Sequence, residues 1–339
     1  MENPTILETH AEWKRSDFDN PETYIEVLTK PELDELDAAL RHAMSVSDDI
    51  LDITKDDFPL PNLSKRLKSV EEELINGRGF SLLRGIRREN YSNDEMCMLY
   101  WGIGMHLGRP WPQNKYGHIL GDVTDQGKAI DDPTARGNEL GGIGLEFHSD
   151  GSDLVGLMCL QKAASGGSSA VCNALAIHNT MVRETPELAA ALYDPLPYDF
   201  RGEQADGSKA WYAVPAFTEK EGRLFIRYIG AYIKASQRHD DAPKLSETAK
   251  AAMARIEALT QEDDNSVLMD LEPGDMQFIN NYHVFHGRLP YTDNQETGEV
   301  RHLKRLWLET EVLKERPSHF RSNVSSHWGK KKVVSRLDK

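Results

Sequence analysis

Apolar positions recur at helical spacing in two N-terminal stretches. Between Lys30 and Met44, Leu33, Leu36, Leu40 and Met44 fall three or four residues apart, with Pro31 near the first turn, where its missing N–H costs nothing. Between Asn62 and Asn76, Leu63, Leu67, Val70 and Leu74 mark one face, and Gly77 stands where a helix would stop. Both stretches predict amphipathic helices. The pattern then changes: Gly79-Phe80-Ser81-Leu82-Leu83-Arg84-Gly85 is a short apolar run between glycines and predicts a buried strand. From Trp111 to Gly144 no period survives and Gly, Asp, Asn and Pro abound, which predicts a long functional loop or lid. Strand-like runs follow at 154–160, 169–176, 224–228, 266–271, 275–280 and 303–309. Helical stretches around 179–193 and 246–259 interrupt them, the second opening on Ser246 and Glu247.

Many short strands with helices mostly ahead of and between them predict an α+β chain with a mainly β core, a double-sheet jelly roll with flanking helices. The expected division is one domain over 1–320, its helical part (1–78) packed on a jelly-roll core of about 79–310. A basic tail, 321–339, is expected to be solvated and partly ordered. No internal repeat is found.

Composition narrows the function. The net charge is −15, from 40 basic and 55 acidic residues, which argues against nucleic acid or an anionic membrane as partner, since both require a positive surface. Cys97, Cys159 and Cys172 form no CxxC pair, so neither a disulfide framework nor a zinc knuckle is expected. The first ten residues lack a basic start followed by an apolar core, and no stretch approaches ~18 uninterrupted apolar residues. A cytoplasmic location is the expectation. For a soluble enzyme of this size, a homo-oligomer is the default expectation.

The candidate chemistry lies in two segments. In Leu145-Glu146-Phe147-His148-Ser149-Asp150-Gly151 an imidazole and a carboxylate stand two residues apart, on the same face if the chain is extended. Such a pair can chelate one ion, and a second imidazole would complete a 2-His-1-carboxylate facial triad with three open positions. The segment from Asp275 to Arg288 offers His283 and His286. They differ by an odd number, so on a strand only one can share the face, and the residues alone leave the choice open.

Four ordered blocks carry a resemblance: Gly79 to Gly85; Phe147-His148-Ser149-Asp150; Pro273-Gly274-Asp275 with Asn280-Asn281 and His286-Gly287-Arg288; and Arg301-His302-Leu303-Lys304-Arg305-Leu306-Trp307-Leu308. From about Trp13 to Thr310 the chain resembles the taurine dioxygenase and 2,4-dichlorophenoxyacetate dioxygenase superfamily of Fe(II)/2-oxoglutarate oxygenases. The resemblance implies a clavaminate synthase-like jelly roll, with Fe(II), 2-oxoglutarate and O2 as cofactors. It selects His286 over His283, because the family's distal histidine follows an Asn by five residues and precedes a small residue and Arg. The implied metal ligands are His148, Asp150 and His286.

The resemblance further implies that Arg301, 15 residues beyond His286 (301 minus 286), binds the distal carboxylate of 2-oxoglutarate, with Ser169 beside it. Arg305, four residues on, is implied as a substrate contact, a second support or a structural ion pair. Gln113, Asn114 and His118 are candidate substrate contacts, with Trp111 and Tyr116 as candidate covers. The implied reaction oxidises an unactivated C–H bond of a small polar or anionic molecule and releases succinate and CO2. Because Asp150 occupies the carboxylate position, hydroxylation is expected over chlorination. Alternatives are a cupin-like isomerase, hydrolase or binding protein, which would not need Arg301, and a protein hydroxylase or demethylase, for which the basic tail speaks.

Overall fold

In the computed structural model, which describes residues 4–9, 11–322 and 333–334, both N-terminal periodic stretches are helices. After a short strand β1 (Ile25–Val27), α1 spans Lys30–Val46 and α2 spans Leu63–Ile75. Glu32 accepts from the Thr29 N–H at 2.7 Å and closes the start of α1. The buried face of α1 is Leu36, Ala39, Leu40 and Ala43, so Met44 lies outside it, exposed. The predicted strand at 79–85 is β2 (Phe80–Arg84).

A third helix, α3 (Asn93–Leu107), has no amphipathic stripe because it is buried almost all round. Gly102 lets it close on Phe58, whose ring would lie 2.3 Å from an added Cβ. The expected 111–144 loop is shorter than its composition implies. Strand β3 (Arg109–Trp111) opens it and β4 (His118–Val123) runs through it, leaving an irregular segment from 124 to 144 with one helical turn at Gly137–Glu139.

Strands β5 (Leu145–His148), β6 (Leu154–Gln161), β7 (Ser165–Gly166) and β8 (Ser169–Asn173) follow. The last is shorter than the predicted 169–176 run. Asn173 turns the chain into α4 (Ala174–Glu184), its side chain accepting from the Ala176 N–H at 2.7 Å. Pro186 splits the predicted 179–193 helix and opens α5 (Pro186–Ala191). Two hairpins, β9 (Pro195–Asp199) with β10 (Trp211–Pro215) and β11 (Phe217–Lys220) with β12 (Arg223–Ile226), precede α6 (Gly230–Ser236) and α7 (Glu247–Thr260). The chain closes through β13 (Ser266–Met269), β14 (Met276–Asn280), β15 (Val284–Arg288), β16 (Tyr291–Thr292), β17 (His302–Glu309), α8 (His319–Ser322) and β18 (Val333–Val334).

The strands form the two sheets of a jelly roll. The larger runs β1-β2-β14-β6-β17-β4-β18, with β3 also on β17; the smaller runs β13-β8-β15-β5. Alternation along the strands assigns the faces. Val155, Cys159, Ile279, Leu303 and Trp307 of the large sheet share one core with Val171 and Phe285 of the small one. Leu154, Met158, Met276, Phe278 and Leu306 point outward and are covered by α1, α2 and α3. Of the basic tail, Val333–Val334 pairs in parallel with β4, so that part is sheet edge rather than solvated chain. The rest of the tail lies outside the described residues.

Candidate active site

The inter-sheet alternation that buries Leu303 and Trp307 also turns Arg305 inward, and the small sheet supplies the facing wall. Strands β15 and β5 are antiparallel with His286 opposite His148, which sets their rings 4.3 Å apart. Asp150 follows two residues after His148. One donor atom from each of the three lies within 4.8 Å of the others. Nε2 of His286 is 3.9 Å from Oδ2 of Asp150, too far for a hydrogen bond.

The surroundings prepare these groups as donors. Nδ1 of His148 lies 2.8 Å from the Glu146 carbonyl, which can only accept, so the proton sits on Nδ1 and Nε2 keeps its lone pair. Burial, reinforced by His148, lowers the pKa of His286 to about 3. Burial opposes charge on Asp150, but Arg305, His286, His148 and the Trp307 indole outweigh it and hold the carboxyl below its usual range. Trp307 donates to Oδ2 at 3.0 Å.

Asn281 gives a physical reason for the Asn-x4-His spacing. Its Oδ1 accepts from the Asp150 N–H at 3.1 Å and its Nδ2 donates to the Ser152 carbonyl at 2.9 Å, tying the turn before β15 to the loop after β5. Asn281→Ala is expected to leave both buried backbone groups unpaired and to weaken metal retention by about 10- to 100-fold, in the range of lost outer-sphere support. Equilibrium metal binding checks this; unchanged affinity would show the tie to be dispensable. His283 is elsewhere, its Nε2 2.9 Å from the Ala11 carbonyl.

A cavity of about 470 Å3 opens over the three side chains. At one end stand Arg301 and Arg288, their guanidinium carbons 5.3 and 4.8 Å from the centroid of the same Tyr291 ring. Arg301 Nη1 and Arg288 Nε and Nη1 are buried without hydrogen-bond partners. Burial, then the neighbouring Arg288 charge, pulls Arg301 down to about 10. Unpaired buried cationic donors are costly unless an anion completes them. Ser169 lines the same cavity, directly opposite Arg288 across β8 and β15, but its hydroxyl donates to Gln277 at 2.9 Å and must turn to serve an arriving carboxylate. Arg288 was given no role in the sequence reading. Its spacing of two from His286 on one strand is the signal that could have assigned it.

Arg305 is committed to the protein. It donates to Asp150 Oδ2 at 3.1 Å, to Gln113 Oε1 at 2.8 Å and to Asn138 Oδ1 at 3.5 Å. Of the sequence alternatives, the ion-pair role matches these contacts. The loop candidates are placed differently from expectation. Gln113, Asn114 and His118 line a second cavity of about 230 Å3, which shares Arg136, Asn138, Arg201 and Arg305 with the larger one, and are absent from the lining of the larger one. Gln113 spends its amide on the Ile119 and Arg305 carbonyls. Asn114 caps its own turn, accepting from Tyr116 and His118 N–H groups. Tyr116 is exposed.

The donor set fits a divalent iron: two neutral imidazoles and one ionised carboxylate on one face, with the rest of the surroundings open to a cavity. A jelly roll with this arrangement has the features of a mononuclear non-heme iron oxygenase. The family model for taurine catabolism dioxygenase TauD, TfdA family, matches residues 46–307, and the chain belongs to that family.

FR-33289 synthase of Streptomyces rubellomurinus is 30% identical over 323 residues, covering 94% of each chain. The taurine hydroxylase-like protein SAT17 of Stachybotrys chartarum is 24% identical, covering 88% of this chain and 79% of its own. Among solved structures, an asparagine oxygenase bound to Fe(II), 3-hydroxyasparagine and succinate superposes with a TM-score of 0.67 at 17% identity, covering 86% of this chain and 96% of that one. The non-heme iron oxygenase OrfP, bound to Fe, succinate and hydroxyarginine, does so at 0.63 and 15%, with the same coverage. The chain is a 2-oxoglutarate-dependent non-heme iron dioxygenase, with Fe(II), 2-oxoglutarate and O2 as its cofactors. Among the described residues no helix is long and apolar enough to cross a membrane.

Proposed function

We propose that His148, Asp150 and His286 hold the Fe(II), that Arg301 and Arg288 with Ser169 take the distal carboxylate of 2-oxoglutarate, and that the enzyme hydroxylates a C–H bond of a small polar or anionic molecule with release of succinate and CO2. The observation that carries this reading is the convergence of three donor atoms within 4.8 Å on the wall of a cavity whose far end presents unpaired arginine N–H groups. Bound iron would supply dioxygen activation coupled to oxidative decarboxylation of the co-substrate.

The side chains do the rest. Arg301 and Arg288 anchor the co-substrate, and Arg305 and Trp307 hold Asp150 in one rotamer through Oδ2. Phe147, Val155, Leu157 and Ile229 give the cavity apolar walls that exclude water from the target bond. With a carboxylate at Asp150, hydroxylation rather than chlorination is the outcome. The cavity, at the lower part of the ~300–1,000 Å3 range for ligand pockets, accommodates a co-substrate and one small molecule.

Anaerobic addition of Fe(II) and 2-oxoglutarate is expected to produce a weak visible charge-transfer band. Folded, metal-loaded protein with no such band would overturn the assignment of the co-substrate to this cavity.

A further inference from the structure

We propose that Arg136, held beside Arg201, is the specificity-determining residue that recognises an oxyanion on the primary substrate, and that Arg305 positions Asp150 instead of binding substrate. The inference rests on the iron-site reading above and deepens it.

Arg305 was the first candidate for an anion contact, but Asp150, Gln113 and Asn138 take its guanidinium. Arg136 differs. It lies in the irregular segment between β4 and β5, borders the main cavity and has a largely buried side chain. Its closest carboxylate, Glu203, is 3.5 Å away, at the limit of a hydrogen bond. The backbone is fixed more firmly than the head group. Glu139 accepts from the Arg136 N–H at 2.9 Å, and Arg201 donates through Nε to the preceding carbonyl, Ala135, at 3.2 Å.

Arg201 is itself held in an unfavourable conformation. Its φ is 54°, in the left-handed region that side-chain-bearing residues seldom adopt, with its N–H donated to Asp199 at 2.6 Å. Its side chain meets a carbonyl and the Tyr232 ring, 5.4 Å away, and no carboxylate. The other acidic groups nearby are engaged. Glu139 pairs with Lys128 at 2.8 Å, Asp199 with Arg238 and His239, and Asp150 with Arg305. Glu203, the carboxylate in contact with Arg136, has its own ionisation disfavoured by burial, while Glu139 and Asp150 also act on the Arg136 charge and Asp132 on that of Arg201.

The cavity lining carries two arginine pairs, Arg288 with Arg301 and Arg136 with Arg201, together with Lys234, Glu146, the proposed iron ligands and the apolar walls. A ligand that matches is a short aliphatic molecule with a carboxylate, sulfonate or phosphonate at the end remote from 2-oxoglutarate. The planar arginine fork suits such groups.

The test uses the full chain loaded anaerobically with Fe(II) and 2-oxoglutarate. Butanoate, propane-1-sulfonate, propylphosphonate and neutral butanamide are titrated by calorimetry and by their effect on the charge-transfer band. Wild type is expected to bind at least one anionic probe about tenfold or more tighter than butanamide. R136Q should bring that preference to within about twofold while 2-oxoglutarate affinity changes by less than about twofold; R301A should do the reverse.

If R136Q does not fold, R136K serves, with an expected fall of about three- to tenfold in anion affinity from loss of the fork alone. No anion preference in wild type, a preference that survives R136Q, an anion affinity unchanged in R136K, or a preference erased by R305Q alone would each overturn the proposal while the iron reading stands. A wild type that binds no 2-oxoglutarate and gives no band would sink both.

Discussion

Replacing His286 by Ala is expected to abolish stable Fe(II) binding and bring 2-oxoglutarate turnover to background, whereas His283→Ala retains measurable activity. The difference follows from strand register. His286 stands opposite His148 on paired strands and within donor reach of Asp150. Removing it leaves a bidentate remnant, and no other His, Cys, Asp or Glu among the described residues completes a three-donor cluster there. His283 sits in the turn before β15, where it contacts the Ala11 carbonyl and packs under Gly79. Its loss costs the fold about 0.5–1.5 kcal/mol for each hydrogen bond removed, those to Ala11 and Asn173 among them, and leaves the proposed iron ligands in place. Metal stoichiometry after desalting, succinate formation and thermal unfolding, measured on both variants, separate the two roles. Activity surviving in His286→Ala and lost in His283→Ala would overturn the ligand choice.

Where side-chain periodicity records a single buried face, the sequence predicted the structure well. The α2 pattern of Leu63, Leu67, Val70 and Leu74 is also its buried face, and the apolar run at β2 is a strand in the larger sheet. Helix α3 was missed for the opposite reason: with Met96 through Gly104 all buried, no polar stripe remains to mark its period. Strand β4 was hidden because Gly121 and Asp122 make it look like a loop. Asp122 is nevertheless buried, and the β17 residues His302, by a hydrogen bond, and Lys304, by an ion pair, hold it. Strands β9 and β10 begin or end with prolines that mask their alternation, and of the β11–β12 hairpin only the run at β12 was legible.

The site divides the same way. His286 was preferred to His283 through the family resemblance, the Asn281 tie to Asp150 spanning 131 residues, while the His148-x-Asp150 pair was legible from its local strand spacing. The environment of Arg305 was not, since Gln113 lies 192 residues away and reaches it only through the pairing of β17 with β4 and its flanking loop. Composition likewise gave Gln113, Asn114 and His118 as polar loop residues without telling which side of Arg305 they would occupy.

Arg301→Ala is expected to raise the apparent 2-oxoglutarate requirement by about 10- to 100-fold, from a lost charge-assisted contact worth ~1.5–3 kcal/mol. Its Nη1 is buried and unpartnered, and its charge is destabilised first by burial and then by Arg288. An arriving carboxylate relieves both penalties, so the guanidinium gains more from co-substrate than an exposed arginine would. Arg301→Lys keeps the charge but not the planar fork and is expected to fall between Ala and wild type. Arg305→Ala should act differently. It removes the 3.1 Å contact to Asp150 and the Gln113 brace, so the loss belongs in iron retention and kcat, with the 2-oxoglutarate KM shifted less. Arg288→Ala should follow Arg301→Ala in KM, because both guanidiniums stack on Tyr291 and face the same space. Steady-state kinetics in 2-oxoglutarate for the three alanine variants, with iron content measured in parallel, test the separation. Equal KM effects from Arg301 and Arg305 would mean that the two act as one clamp, and the assignment of Arg305 to Asp150 would fall.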